Sequence, residues 1–326
     1  MEKTTATGML REDHRKVEDL YRRFNATQDF GARVGLADDI CKELEIHARL
    51  EESLLYPDLT RESAQGGMVR HFGEEHGAVK RLISQVRLGH AGEPASFAED
   101  DALVARIMAS IEHHVQEEEG TAFPKLEANP DHNAALGADL ATLKMKLKMC
   151  PPVFQAIDLD VPVRTAYNQW TQFESFPRFL DNVKEVRQLD DTHVQWRVEI
   201  AGREFRWTAE IYEQIPDERI AWSSVDGAIN AGSASFRPLS ESSCRILLEM
   251  AYEPQGLVED LGAMLGAVSR NLASQLKAFK QYIETTCRED GAWRGQVSGN
   301  PAEPELSRHG LPRADPAGQQ KRLPGI

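Results

Sequence analysis

Two pairs of residues early in the chain have the spacing of metal ligands on a helix: His47 with Glu51, and His114 with Glu118. Each is His-x-x-x-Glu, so one helical turn brings imidazole and carboxylate to the same face. A glutamate follows directly in both cases (Glu52, Glu119). At roughly 100° per residue the i+4 carboxylate lies about 40° from the histidine and the i+5 one about 140° away. Glu51 and Glu118 therefore share the histidine face, and Glu52 and Glu119 are expected to point to solvent.

Histidine itself is unevenly distributed. Of 10 in the chain, 8 precede residue 133, where an even spread would place about 4. The chain also repeats itself there. Asp13-His14-Arg15-Lys16-Val17 with Leu20 matches Glu75-His76-Gly77-Ala78-Val79 with Leu82, and each His-x-x-x-Glu ends at an aromatic-proline pair, Tyr56-Pro57 and Phe123-Pro124. Two helical hairpins make a four-helix bundle. On its helices each special histidine falls in the apolar stripe: His14 with Val17, Tyr21 and Phe24; His47 with Leu36, Ile40 and Leu44; His76 with Phe72, Val79 and Ile83; His114 with Leu103, Ile107 and Ile111. Such stripes face the core.

A single inward histidine reads as a satisfied core residue. Four of them with two carboxylates, in a duplicated order, read as a metal site, because a buried carboxylate is costly unless paired or bound to a cation. Imidazole and carboxylate without thiolate suit iron, manganese or zinc. Six inward ligands exceed one tetrahedral ion and suit two metals bridged by the carboxylates. His71 and His113 adjoin this set but at angles that aim them elsewhere, and His90 and His132 read as inert loop residues.

This order, H…HxxxE…H…HxxxE, resembles the hemerythrin-like (HHE cation-binding) domain, across residues 1–149 and including a shorter fifth helix with Leu136, Leu140, Leu143 and Leu147. The resemblance implies a non-haem di-iron site, two iron ions held by His14, His47, Glu51, His76, His114 and Glu118, with Glu51 and Glu118 bridging. Oxygen carriers of that family have one more histidine, a helical turn away on the third helix. Here those positions are Phe72 and Lys80. One imidazole fewer leaves an open position, which favours reactivity or sensing over reversible oxygen carriage.

Met149-Cys150-Pro151-Pro152 stops the last helix of this part, since proline cannot continue one. Period-two runs follow, such as Val194–Ile200 and Phe205–Ile211, the pattern of half-buried strands. A strand at 154–161, a helix opened by Pro162 and a short helix near 173–180 come first. Strands near 183–190, 193–200, 203–215, 218–225, 228–239 and 243–253 succeed them. The long amphipathic helix at 257–285 (Leu261, Leu265, Val268, Leu272, Leu276, Phe279, Ile283) must bury its stripe against that sheet. The order, with Trp170–Leu180 and Ile215–Trp222, resembles the START-like polyketide cyclase/dehydrase superfamily (SRPBCC), closest to its coenzyme Q-binding branch. It implies an α+β helix-grip fold over 153–286 that holds an apolar organic ligand such as a quinone or lipid. No catalytic constellation stands out; Arg206, Glu210 and Glu249 read mainly as solvated strand positions, and Trp170, Trp196, Trp207 and Trp222 as core or cavity wall. Residues 287–326, rich in Gly, Pro and Arg, read as a disordered tail.

The whole chain has 326 residues, a net charge of −14 and 41% apolar residues. That charge argues against a general nucleic-acid binder. No run reaches the length of a membrane span, and the polar start shows no secretory signal. Four scattered cysteines, Cys41, Cys150, Cys244 and Cys287, suit reduced thiols and a cytoplasmic protein. Three functions follow as expectations: a di-iron protein that binds or reacts with oxygen, peroxide or nitric oxide (sensing, oxidative-stress detoxification or iron handling); a quinone- or lipid-binding module regulated by a metal-binding bundle; or a metal-stabilised bundle without turnover.

Overall fold

Helix caps and prolines set the frame of the first domain. In the computed structural model, which describes residues 4–62, 66–91, 97–200, 202–227, 230–252 and 261–299, Thr5 accepts a hydrogen bond from the Gly8 amide to open α1 (Ala6–Ala26). Asp29 accepts from the Ala32 amide to open α2 (Phe30–Leu50). Both are N-cap residues that satisfy otherwise orphaned amides. After α2 the helix widens into a π turn at Glu51–Leu55 before α3 (Tyr56–Glu62). The second hairpin repeats this: α4 (Gly66–His90), α5 (Phe97–Glu117), a π turn at Glu118–Ala122, then α6 (Phe123–Glu127). The cause is the duplicated proline. Pro57 and Pro124 have no N–H for the carbonyls of Ser53 and Gly120, so the preceding residues reach back five positions, Tyr56 to Glu51 and Phe123 to Glu118. α7 (Pro130–Met149), capped by Asn129, lies along α1. Gly137 permits the close approach, since a Cβ there would meet the Thr4 carbonyl.

The bundle has two apolar clusters rather than one. Leu10, Leu50, Leu55, Tyr56, Phe72 and Phe123 pack at one end. Val17, Phe24, Ile40, Leu44, Ile83 and Ile107 pack at the other. The six inward histidines and glutamates lie in the layer between.

The second domain is an antiparallel sheet in the order β1-β7-β6-β5-β4-β3-β2. Its strands are β1 (Val153–Leu159), β2 (Val183–Gln188), β3 (His193–Ile200), β4 (Arg203–Ile215), β5 (Arg219–Gly227), β6 (Asn230–Pro238) and β7 (Cys244–Tyr252). Between β1 and β2 come α8 (Val163–Trp170) and a 3-10 turn at Phe173–Arg178; after β7 comes α9 (Leu261–Thr286). Leu272, Leu276, Phe279 and Ile283 of α9 bury against Trp170, Phe176 and Phe236, giving the helix-grip arrangement. Trp196, Trp207 and Trp222 are partly buried against this core. The remainder of the expected tail, 300–326, lies outside the described residues.

The first part of that tail is ordered. Residues 287–299 turn back across α8: Glu289 accepts from Asn168 Nδ2 (3.0 Å), and the Asp290 and Trp293 amides donate to Gln169 and Thr171 (2.9 and 3.1 Å). Arg294 donates to Asp217 and Asn168, and β8 (Val297–Ser298) pairs with β4. Disorder was the wrong expectation for 287–299 because polar hydrogen bonds, not apolar burial, hold this strap.

The bundle sits on the outer face of the sheet through α4. Arg219 of β5 donates to Ser84 (2.6 Å) and Ser235 (2.8 Å), Arg81 pairs with Glu213 (2.5 Å), and Arg245 of β7 donates to the Leu88 carbonyl (2.9 Å). Glu249, one of the polar strand residues, faces Arg87 of α4 (3.5 Å). Among the described residues no helix is long and apolar enough to cross a membrane, and all four cysteines are free.

His90 is the last residue of α4 and not a loop residue. It closes the end of the bundle, with Nδ1 3.0 Å from Asp38 and Nε2 3.2 Å from Asp100. Burial opposes its charge, but the two carboxylates outweigh burial and raise its pKa above the usual 6.5. The stabilisation is full below the unfolded-state value and is lost as pH rises through the raised folded one. Thermal melts across pH 5.5–9 should therefore show wild type losing stability over His90→Gln as pH rises. Parallel curves would contradict this role.

Candidate metal centre

Four helices, α1, α2, α4 and α5, each deliver one imidazole to the polar layer. His14 comes from α1, His47 from α2, His76 from α4 and His114 from α5; Glu51 and Glu118 open the two π turns. All six are buried, the two glutamates completely. His14 Nε2 lies 3.2 Å from His47 Nε2, and His76 Nε2 lies 3.4 Å from His114 Nε2. Glu51 sits between the pairs: one oxygen is 2.9 Å from His47, the other 3.2 Å from His76 and 3.6 Å from His114. Two ligand groups result, His14–His47–Glu51–Glu118 and Glu51–His76–His114. Glu51 belongs to both. Glu118, expected to bridge as well, joins only the first, 3.4 Å from His14.

The other ring nitrogens face carboxylates. His14 Nδ1 is 2.7 Å from Glu119, His76 Nδ1 3.1 Å from Glu52, and His114 Nδ1 2.9 Å from Glu75. His47 Nδ1 is 3.8 Å from Asp13, whose other oxygen is held by Lys144. At His14, His76 and His114 the carboxylate orients the ring with Nε2 inward. At 3.8 Å Asp13 is too far to hydrogen-bond His47 Nδ1, which is buried without such a partner. Glu52 and Glu119 thus do not simply face solvent. In a bundle a position 140° from the core stripe meets the neighbouring helix, and a glutamate is long enough to reach its histidine. Lys80 donates to both Glu52 oxygens (2.6 and 2.7 Å).

The arrangement fits bound cations. Four inner imidazole nitrogens and two carboxylates converge, with no Lys or Arg side chain among the described residues in either ligand group. Glu51 Oε1 and both Glu118 oxygens are buried without an oriented hydrogen bond, a costly state that a cation relieves. The electrostatics agree. Burial and the neighbouring Glu51 push the Glu118 carboxyl well above its usual range. Burial opposes charge on Glu51 too, but His47, His114 and His76 hold it well below that range. Burial and His47 drive His14 down to about 4. Burial is outweighed at His47, by Glu51 and Asp13, and at His114, by Glu51 and Glu75, so both rise to about 9.

Tyr56 was not foreseen as part of the site. Its buried hydroxyl donates to Glu51 Oε2 (3.0 Å) and lies 3.2 Å from His76 Nε2. The aromatic-proline repeat held the clue, since the matching residue in the other half is Phe123, which stacks on His14. Beside the histidines a cavity of about 20 Å³ is walled by Val17, Leu44, Val79 and Ile83, room for one water-sized molecule. His71 and His113 point away to the surface. His132 lies in the first turn of α7 and pairs with Asp58 (2.8 Å). In the second domain Arg206 is exposed beside Glu204 (2.6 Å).

Comparisons with known proteins agree with this division. Residues 5–126 match the family described as the hemerythrin HHE cation binding domain. Residues 159–281 match polyketide cyclase/dehydrase and lipid transport. An uncharacterized 17.2 kDa protein of Streptomyces lincolnensis is 43% identical over 146 residues, 44% of this chain and 97% of that one. A DNA nickase of Nostoc sp. is 27% identical over 121 residues, 37% of this chain and 33% of its own length. Among solved structures, DR_A0006 of Deinococcus radiodurans (26% identity, 41% of this chain, 98% of that one, TM-score 0.34) and the Zhui aromatase/cyclase of Streptomyces sp. R1128 (17%, 44%, 98%, 0.38) are similar.

Glu118→Leu separates the metal from the fold. Removing a buried carboxylate that lacks a hydrogen bond should raise the melting temperature of metal-free protein by about 2–4 °C, for a gain of about 1 kcal/mol. The rise on adding ferrous iron should vanish. A lower metal-free melting temperature with the metal-dependent rise retained would contradict the site.

Proposed function

From a chain that matches the hemerythrin HHE cation binding domain over residues 5–126 and polyketide cyclase/dehydrase and lipid transport over 159–281, we propose a non-haem di-iron protein that binds or reacts with oxygen, peroxide or nitric oxide. The observation that carries this is the chamber itself: two ligand groups sharing Glu51, opening on an apolar cavity the size of one small molecule. His14, His47, Glu51 and Glu118 would hold one ion, and Glu51, His76 and His114 the other. Ferrous iron bound there supplies electrons and an open position to a small ligand. Imidazoles with carboxylates and no thiolate suit iron, and iron is the metal that the hemerythrin resemblance implies.

The chain's own residues divide the remaining work. Val17, Leu44, Val79 and Ile83 exclude bulk water from the cavity. Glu119, Glu52 and Glu75 orient His14, His76 and His114, and Asp13 faces His47. Tyr56 keeps its proton, because burial and Glu51 push its pKa well up, and presents that proton to the ligand side of Glu51. With Phe72 and Lys80 one turn either side of His76, no further imidazole fills the second half. That favours sensing or detoxification over carriage.

The second domain is proposed to hold an apolar molecule, a quinone or lipid, between its sheet and α9. A second reading makes that ligand primary and the metal regulatory. Its support is α4, which carries His76 on one face and Arg81, Ser84 and Arg87 to the sheet on the other. The nickase's activity is that protein's own; a net charge of −14 disfavours DNA as a partner here.

Anaerobically reconstituted protein should contain about two irons per chain, falling in His47→Ala and Glu118→Ala. Tyr56→Phe should keep the iron but slow the absorbance change on adding air or peroxide. Iron-free protein after reconstitution, or a Tyr56→Phe variant that reacts at the wild-type rate, would count against the corresponding role.

A further inference from the structure

Outside the chamber the bundle brings a second set of imidazoles and carboxylates together. His71 and Glu75 lie one turn apart on α4, and His113 and Glu117 one turn apart on the adjacent α5. His71 Nε2 is 3.1 Å from Glu117 Oε2 and 3.5 Å from Glu75 Oε1. His113 Nε2 is 3.8 Å from Glu75 Oε1 and 3.8 Å from Glu117 Oε1. Only the first is a hydrogen bond; the others are too long. One ligand atom from each of the four residues lies within 4.8 Å of the others. The distances of 3.1–3.8 Å straddle the roughly 3.3–3.6 Å that separates donors bound at about 2.0–2.2 Å to a tetrahedral ion, so shifts of a few tenths of an ångström would close the site.

Two further facts single the cluster out from ordinary surface charge. Glu75 is already positioned, its Oε2 accepting from His114 Nδ1 (2.9 Å) while Oε1 faces the cluster. Neither Glu75 nor Glu117 pairs with a lysine or arginine among the described residues; their ion-pair partners are imidazoles. His71 and His113 are about half exposed, 49% and 60%, so an ion in solution reaches them directly.

We propose that His71, Glu75, His113 and Glu117 form a separate surface site for a divalent transition-metal ion, zinc by donor set. Two imidazoles and two carboxylates in four-coordinate geometry suit zinc better than calcium or magnesium, which take oxygen ligands in larger number or octahedral array. The site adjoins the buried chamber through one carboxylate. A cation on Glu75 Oε1 draws charge from the group that orients His114, so filling the surface site loosens that hydrogen bond and alters the chamber.

The test uses the full chain and zinc(II) itself, counted by equilibrium dialysis with metal analysis. Glu51→Ala/Glu118→Ala combined with His47→Ala and His76→Ala leaves one imidazole in each half of the chamber, disables it, and should still bind one zinc per chain. Adding His71→Gln and His113→Gln to it should abolish that zinc. His71→Gln/His113→Gln alone should leave iron uptake by the chamber unchanged, which also reports correct folding. Cobalt(II) in the chamber-disabled protein should give the intense visible bands of a four-coordinate ion. Zinc binding that survives loss of both surface histidines would overturn the proposal, and so would no zinc bound by the chamber-disabled protein. Neither outcome depends on whether the chamber takes iron.

Discussion

Two completely buried carboxylates in the middle of a helical bundle are the constraint on which the first domain is organised. Glu51 and Glu118 are 0% exposed, and removing two such charges from water is too costly to leave uncompensated. The surrounding residues are arranged as the compensation. Four imidazoles turn their inner nitrogens toward the carboxylates, Glu119, Glu52 and Glu75 hold three of those imidazoles by their other nitrogens while Asp13 faces the fourth, and Lys80 and Lys144 hold Glu52 and Asp13. The layer splits the apolar core in two, so each cluster stands at one side of it. A bound cation would complete this network; against burial, the carboxylates beside them hold His47 and His114 above the usual imidazole range.

Most of that layer was legible because helical periodicity is rigid. A residue four positions from a histidine has little choice of direction, and duplication of the pattern removed the ambiguity of any single residue. What escaped reading depends on the neighbouring helix. Glu52 and Glu119 lie off the core stripe, yet each reaches across to the histidine of another helix, which no single-helix angle reveals. Tyr56 looked like the end of a helix. The proline after it instead widens the turn and carries the tyrosine hydroxyl to Glu51, while Phe123 does the same without a hydroxyl.

In the second domain the strands and α9 followed from period-two and period-3.6 patterns. Two features did not. Glu249 reads as a solvated strand position but faces Arg87 of α4, and Arg219 and Arg245 on the same sheet are buried with bonds to Ser84 and Leu88 of that helix. Alternation tells which side of a strand is polar and not what covers it. The strap at 287–299 has too few apolar residues to register as structure. Its hold comes from Asn168, Gln169 and Thr171 at the end of α8, whose burial is visible only once the fold is built. α4 serves both domains, and any change at His76 acts on the helix that also carries the sheet contacts.

The most direct measurement is an iron-edge anomalous difference map from crystals of the full chain loaded anaerobically with ferrous iron. Two peaks are expected in the buried layer, one on each side of Glu51, the first touching His14, His47 and Glu118 and the second His76 and His114. A single peak, or iron bound outside that layer with the chamber holding none, would contradict a shared two-metal site.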